Sequence, residues 1–113
     1  MEKVDYIVVH STNTQENLKI TESYKTDYNY LIGVHGECWG GKRTPTEEDG
    51  LYYIHLAYVG GLDRLEKVKD TRTQKQKQTM WFMMKDLLRK YKDAKVLGDN
   101  PGFNAEEEYK NIV

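Results

Sequence analysis

Residues 51–59, LYYIHLAYV, form the longest run of apolar and β-favouring residues in the chain, and Gly60-Gly61 ends it. A run of this length bounded by turn residues is typical of a strand buried within a sheet. Residues 6–9 form a shorter run of the same kind, and residues 28–34 a third. The pattern therefore predicts residues 51–59 as the central strand of a sheet that includes the other two.

The segments between these strands are polar. Residues 11–27 are predicted to be a loop with a short helical turn, and residues 44–50 an acidic loop. His35-Gly36 is a turn signal, so residues 37–39 are predicted to pair back on the second strand as a hairpin arm.

A long amphipathic helix is predicted after residue 73. Thr73 is a favourable N-cap, and Gln76 stands three residues later, where a capping box requires Glu or Gln. Apolar side chains then recur at helical spacing on one face: Met80, Met84, Leu87, Leu88 and Tyr91.

The chain is predicted to end with a short strand and a short helix. Residues 95–97 are the predicted strand, and Asn104 is the predicted N-cap of the helix, with Glu107 in the capping-box position. Tyr109 and Ile112 are its predicted packing residues. This order of elements predicts an α/β fold, with a mixed central sheet flanked by helices, in one domain over residues 1–113.

Composition excludes several classes of function. Seventeen basic and eighteen acidic residues nearly cancel, which does not favour a partner such as duplex nucleic acid or a membrane surface. The single cysteine, Cys38, excludes an internal disulfide and a cysteine-cluster zinc site. No apolar run reaches membrane-span length, and charges interrupt the first residues, so the predicted location is the cytoplasm.

His10 follows the apolar run of residues 6–9 directly. A histidine that ends a buried strand can serve as a metal ligand or a general base, because the strand holds its side chain rigidly. A hydrogen-bonded histidine without chemical function is the alternative from position alone.

Five stretches occur in one order along nearly the whole chain: IVVHST, YNYLIGVHGECWGGKR, YVGGLD, KDTRTQKQK and VLGDNPGFNAEEEYKNI. Together they resemble the N-acetylmuramoyl-L-alanine amidase family, the zinc amidases that share a fold with peptidoglycan recognition proteins. The resemblance implies a shortened form of that fold. The short form also resembles small amidases encoded by bacteriophages and prophages.

The resemblance implies that the catalytic site has lost most of its parts. His10 lies at the position of the first zinc ligand, and Tyr28 at that of a tyrosine that assists catalysis. Asp99 stands where the family has its second ligand, and Asn100 where it has its third, while the catalytic lysine has no counterpart. Catalytic zinc needs about three protein ligands, and an asparagine amide is a poor one. The chain is therefore predicted to be catalytically inactive and to hold no cofactor.

An alternative zinc site stays open. His55 lies within the central strand, where related sequences often carry glycine. If it faces the same cleft as His10, then His10, His55 and Asp99 would make a set with reasonable zinc chemistry. The chain would then be an active zinc amidase that cleaves the bond between muramic acid and L-alanine.

The predicted function is capture of a small polar or anionic ligand in the former active-site cleft. The ligand is a muropeptide fragment or a nucleotide immune signal, and a homo-oligomer that shares the cleft is expected. Inhibition of another protein by direct binding is a third possible function. For each of the basic residues Lys42, Arg43 and Arg72, the alternative is a solvated surface residue without a ligand. His35 is expected to be exposed. The predicted ligand-binding residues combine histidines, aromatic rings, cations and the replaced ligands: His10, Tyr28, Trp39, Lys42, Arg43, His55, Arg72, Asp99 and Asn100.

Overall fold

The computed structural model describes residues 3–16, 19, 21–41, 44–100 and 102–112. These residues form eight strands and three helices. In chain order they are β1 (Tyr6–Ser11), α1 (Glu22–Asp27), β2 (Tyr30–Ile32), β3 (Cys38–Gly40), β4 (Thr46–Glu48), β5 (Leu51–Tyr58), α2 (Gln74–Lys90), β6 (Lys95–Leu97), β7 (Asp99–Asn100), β8 (Phe103–Asn104) and α3 (Ala105–Glu108).

Six of the strands form one mixed sheet. Its order is β3-β2-β5-β1-β6, and β4 pairs with β5 beside this path. The pairs of β5 with β1 and β2, and of β1 with β6, are parallel, whereas β3 and β4 join antiparallel. This arrangement confirms the predicted mixed sheet flanked by helices, with residues 51–58 at its centre.

The register of β1 against β5 sorts the side chains into two faces. Ile7 lies opposite Ile54, and Val9 opposite Leu56, and all four are buried. They share the main apolar core with Met80, Met84 and Leu87 of α2. Because side chains alternate along a strand, the residues between them point to the other side of the sheet.

That other side is here called the outer face. It carries Tyr6, Val8 and His10 from β1, Tyr53 and His55 from β5, and Lys95 and Leu97 from β6. Lys95 is exposed, and Leu97 is 39% exposed. Toward β2 the same face is covered by a second small cluster, in which Tyr28, Val34 and Trp39 pack on Leu31, Ala57 and Val59. The outer face is thus covered near β2 and accessible near β6.

Helix α2 begins as its sequence predicts. Thr73 Oγ1 accepts a hydrogen bond from the Gln76 backbone N–H at 3.1 Å, and Gln76 Oε1 accepts one from the Thr73 N–H at 2.8 Å. Gln76 Nε2 also donates to the backbone carbonyls of Ile32 and Val59, so the cap binds the helix to β2 and to the end of β5. In the part of the chain that the structure describes, no helix combines the length and apolar character that crossing a bilayer requires.

The C-terminal segment also matches its prediction. Asn104 Oδ1 accepts a hydrogen bond from the Glu107 N–H at 3.1 Å and caps α3. Tyr109 is 3% exposed and Ile112 packs against the main core, so the short helix is held to the sheet by the two residues expected to hold it.

Two hairpins include strands that were not predicted. β4 forms within the expected acidic loop, and Asp49 and Gly50, with φ of 53° and 82°, connect it to β5. Asp-Gly is a strong signal for such a two-residue turn, because both positions need positive φ. The second hairpin, β7–β8, is too short for an apolar pattern to reveal.

The bounds of the first two strands also differ from prediction. β1 continues through His10 to Ser11, so His10 lies inside the strand and not beyond it. β2 is limited to Tyr30–Ile32. Tyr28 therefore lies between α1 and β2, where the chain turns toward the sheet.

Candidate functional site

The structure brings His10 and His55 together on the outer face. Val8 lies opposite His55 and His10 opposite Ala57, so the two histidines are diagonal neighbours on adjacent parallel strands. His10 Nε2 lies 2.8 Å from His55 Nδ1, and the ring centroids are 5.1 Å apart. The two imidazoles form a hydrogen-bonded pair, here called the histidine pair.

Asn29 holds the backbone of His55 in place. Its side-chain Oδ1 accepts from the His55 N–H at 2.7 Å, and its own N–H donates to the His55 carbonyl at 2.9 Å. Its Nδ2 donates to the Thr44 carbonyl at 2.9 Å, and the residue is 2% exposed. Asn29 was not among the predicted site residues. The available signal was a polar side chain within the apolar stretch YNYLI, because a buried amide must find partners.

Tyr28 and Trp39 lie on the β2 side of the histidine pair. The Tyr28 ring centroid is 5.9 Å from that of His10, with an interplanar angle of 44°. Trp39 packs with Tyr28 against the second cluster, and Lys25 Nζ lies 5.2 Å from the Trp39 ring. Tyr28 thus contacts the pair directly, while Trp39 supports the wall beside it.

The surroundings of His10 favour its uncharged form. Burial, and secondarily the charge of His55, lower the pKa of His10 from 6.5 to about 4. At neutral pH His10 is therefore uncharged, and one proton is shared between the facing nitrogens.

This pKa predicts how stability depends on pH. Between pH 6.5 and 4 the unfolded chain binds a proton at residue 10 that the folded chain does not, so stability falls as the pH is lowered through this window. The difference in pKa corresponds to roughly 3 kcal/mol, which solvent screening at this half-buried site reduces to about 1–2 kcal/mol.

The measurement is urea unfolding at pH 7.5 and pH 4.5 for the unmodified chain and for His10→Gln. We expect the variant to lose less stability on acidification. The matched control is His35→Gln, since His35 is exposed. Equal acid sensitivity in all three chains would contradict the assignment of a neutral, buried His10.

Asp99 and Asn100, which the resemblance aligned with two zinc ligands, lie just beyond β6. Asn100 Nδ2 donates to the Val9 carbonyl at 3.0 Å, so this amide ties the β7–β8 hairpin to the strand that carries His10. The backbone of Asp99 pairs with Asn104 in the same hairpin, and its side chain lies outside the described part of the structure. Lys42 and Arg43, the predicted cations, also lie outside the described residues.

The structure places Arg72 in a different set of contacts. Its side chain is 3% exposed, and its guanidinium donates to both carboxylate oxygens of Asp70 and to Glu108. The Phe103 ring lies 3.4 Å from its terminal carbon. These contacts join the loop before α2 to β8 and α3, and none of them is with the histidine pair.

In this site the described residues offer a metal ion two imidazole ligands, His10 and His55. Imidazole nitrogens suit zinc, but two ligands on a tetrahedral zinc lie about 3.3 Å apart, and each must direct a lone pair at the ion. The 2.8 Å separation instead corresponds to a hydrogen bond between the two rings. Among the described side chains, no group of three His, Cys, Asp or Glu is arranged to hold a metal. The described residues therefore do not by themselves fit a catalytic zinc.

Comparison with known proteins supports the fold. No protein-family model and no curated protein sequence matches the chain. Among solved structures, the X-ray structure of bumblebee PGRP-SA, a peptidoglycan recognition protein, is similar with a TM-score of 0.65. Sequence identity is 18%, and the match covers 98% of this chain and 83% of the other. The chain therefore has a peptidoglycan-recognition-like fold.

Proposed function

We propose that this chain binds a muropeptide, a sugar–peptide fragment of peptidoglycan, at the histidine pair and does not hydrolyse it. The observation that carries the proposal is the hydrogen-bonded pair of His10 and His55, half-buried beside Tyr28 on an accessible face of the sheet. The similarity to a peptidoglycan recognition protein suggests the class of ligand.

The pair suits an amide group. A neutral imidazole has one N–H donor and one bare nitrogen acceptor. If His10 Nε2 donates the hydrogen bond to His55 Nδ1, the other nitrogen of His10, Nδ1, is a bare acceptor. If His55 Nδ1 donates it, His10 Nδ1 carries an N–H and is a donor. His10 is therefore able to complement either the carbonyl or the N–H of a peptide bond, and the Tyr28 ring next to it offers apolar contact.

Hydrolysis requires more than this pair supplies. An amide is cleaved in this fold family with a metal-bound water and a Lewis acid, and these need about three protein ligands. The amide of Asn100, at the position of the third family ligand, is directed at a backbone carbonyl of β1. These features support binding without cleavage.

The test is isothermal titration of a muramoyl dipeptide into the unmodified chain, His10→Ala and His55→Ala. Each variant loses a hydrogen-bonding ring from the pair, and we expect binding to weaken at least about tenfold. His35→Ala is the control, because this exposed histidine lies in the β2–β3 turn. Equal affinity in the unmodified chain and both pair variants would contradict the proposal.

A zinc amidase is the second candidate, because His10 and His55 lie on the same face of the sheet, beside Tyr28. Two histidine ligands would be supplied by the pair and a third by Asp99. Elemental analysis of the purified chain and mass spectrometry of the dipeptide released from a muropeptide distinguish the candidates. About one zinc per chain, lost in His10→Ala, together with release of the peptide would establish the amidase and exclude simple binding.

A further inference from the structure

A continuous row of aromatic rings extends along the outer face from the histidine pair. The Tyr53 ring lies 6.0 Å from that of His55, with an interplanar angle of 14°. The Tyr6 ring lies 5.3 Å from that of Tyr53, at 19°. The row thus runs along β1 and β5, from the pair toward the N-terminal ends of the two strands.

The sheet register produces this row. Tyr6 and Tyr53 are opposite each other on neighbouring parallel strands, and Tyr53 lies two residues before His55, on the same face of β5. The spacing of strands and of alternate residues sets ring centres about 5–7 Å apart, so rings on such positions stack.

The two tyrosines are not needed to fill an apolar core. Neither belongs to, or packs against, the two clusters of buried apolar residues. Both keep part of their surface exposed, and Lys95, which lies opposite Tyr6 on β6, is exposed. A stacked pair of large, partly exposed rings on the outer face is a surface suited to bind another ring.

We propose that Tyr6 and Tyr53 form a second subsite that stacks against a sugar ring of the ligand. This inference rests on the proposed muropeptide binding and extends it. The amide of the ligand lies at the histidine pair, and the adjoining pyranose packs its C–H face on the tyrosine rings. The subsite therefore gives the chain its preference for a sugar-bearing peptide over the peptide alone.

The test compares two probes by titration calorimetry: a muramoyl dipeptide, and the same dipeptide with an N-lactoyl group in place of the muramoyl group, which removes the sugar ring and keeps the amide. Tyr53→Leu keeps apolar bulk and removes the ring, and we expect about three- to tenfold weaker binding of the sugar-bearing probe only. Tyr53→Phe keeps the ring and is expected to bind the sugar-bearing probe as tightly as the unmodified chain does. Tyr52→Leu is the control, since Tyr52 directly precedes Tyr53 in β5 and its side chain points to the other face of the sheet.

The outcomes separate the two proposals. Unchanged affinity in Tyr53→Leu, or an equal loss for both probes, overturns the sugar subsite while leaving binding at the histidine pair intact. Failure of the unmodified chain to bind either probe overturns the proposed function itself and the subsite with it. Binding of a nucleoside that depends on Tyr53, without muropeptide binding, overturns the assignment to a sugar. Thermal unfolding followed by circular dichroism confirms that each variant is folded.

Discussion

Replacing Gln76 with Glu is expected to lower the free energy of unfolding by about 3–5 kcal/mol. The change is nearly isosteric, but it removes the two N–H donors of the amide. In the folded chain these donors are directed at the carbonyls of Ile32 and Val59, and the side chain is fully buried. A carboxylate there is buried and faces two carbonyl oxygens, so both its desolvation and the loss of hydrogen bonds oppose folding.

The measurement is urea denaturation at pH 7.5, followed by circular dichroism. The control is Gln78→Glu, because Gln78 lies two residues further along α2 and is exposed. We expect the control to stay within about 0.5 kcal/mol of the unmodified chain. A Gln76→Glu variant that unfolds at the same urea concentration as the control would show that the amide does not hold α2 to the sheet.

Replacing Arg72 with Met is expected to destabilise the chain by about 2–4 kcal/mol. Methionine keeps the apolar stem of the side chain but removes the guanidinium that lies over Phe103, and it leaves the carboxylates of Asp70 and Glu108 without their cation. Removing one partner of a buried ion pair costs about 3–5 kcal/mol, and the 20% and 36% exposure of the two carboxylates reduces this cost. The control is Arg64→Met, since Arg64 is exposed in the same loop.

The same variant tests the electrostatics of the cluster and the predicted role of Arg72 in ligand binding. Burial raises the pKa of Asp70, but hydrogen bonds from Arg72 and its charge outweigh this and hold the pKa below its ordinary value of 3.8. An NMR titration of Arg72→Met is therefore expected to give a higher pKa for Asp70. If the folded variant binds the muramoyl dipeptide as tightly as the unmodified chain does, Arg72 stabilises the fold and does not contribute to ligand binding. A selective loss of binding in a stable variant would instead place it in the ligand site.

Local sequence patterns predicted most of the elements. The amphipathic spacing from Met80 to Leu87 and the Thr73–Gln76 capping box located α2, and the apolar run from residue 51 located the central strand. The Asp49-Gly50 turn shows that β4 was also encoded locally, although the acidic composition around it had favoured a loop. Signals of this kind are readable because the interacting residues are neighbours along the chain.

The site was only partly predictable. Position after an apolar run singled out His10, and the resemblance added Tyr28, but Asn29 was missed because its partners, His55 and Thr44, lie on segments far along the chain. The contacts of Arg72, which was predicted to bind ligand, were missed for the same reason, since Glu108 is 36 residues away.

By itself the sequence determined where the long helix and the central strand lie, which of their faces are apolar and that a histidine stands at the first strand. Only the tertiary structure decided that His10 meets His55, that Tyr6 stacks on Tyr53, and that Arg72 is enclosed by carboxylates. Those contacts depend on the register of β1 against β5 and on the docking of α3. Packing across the whole sheet selects that register, because a slip by one residue would turn every buried side chain of the strand outward.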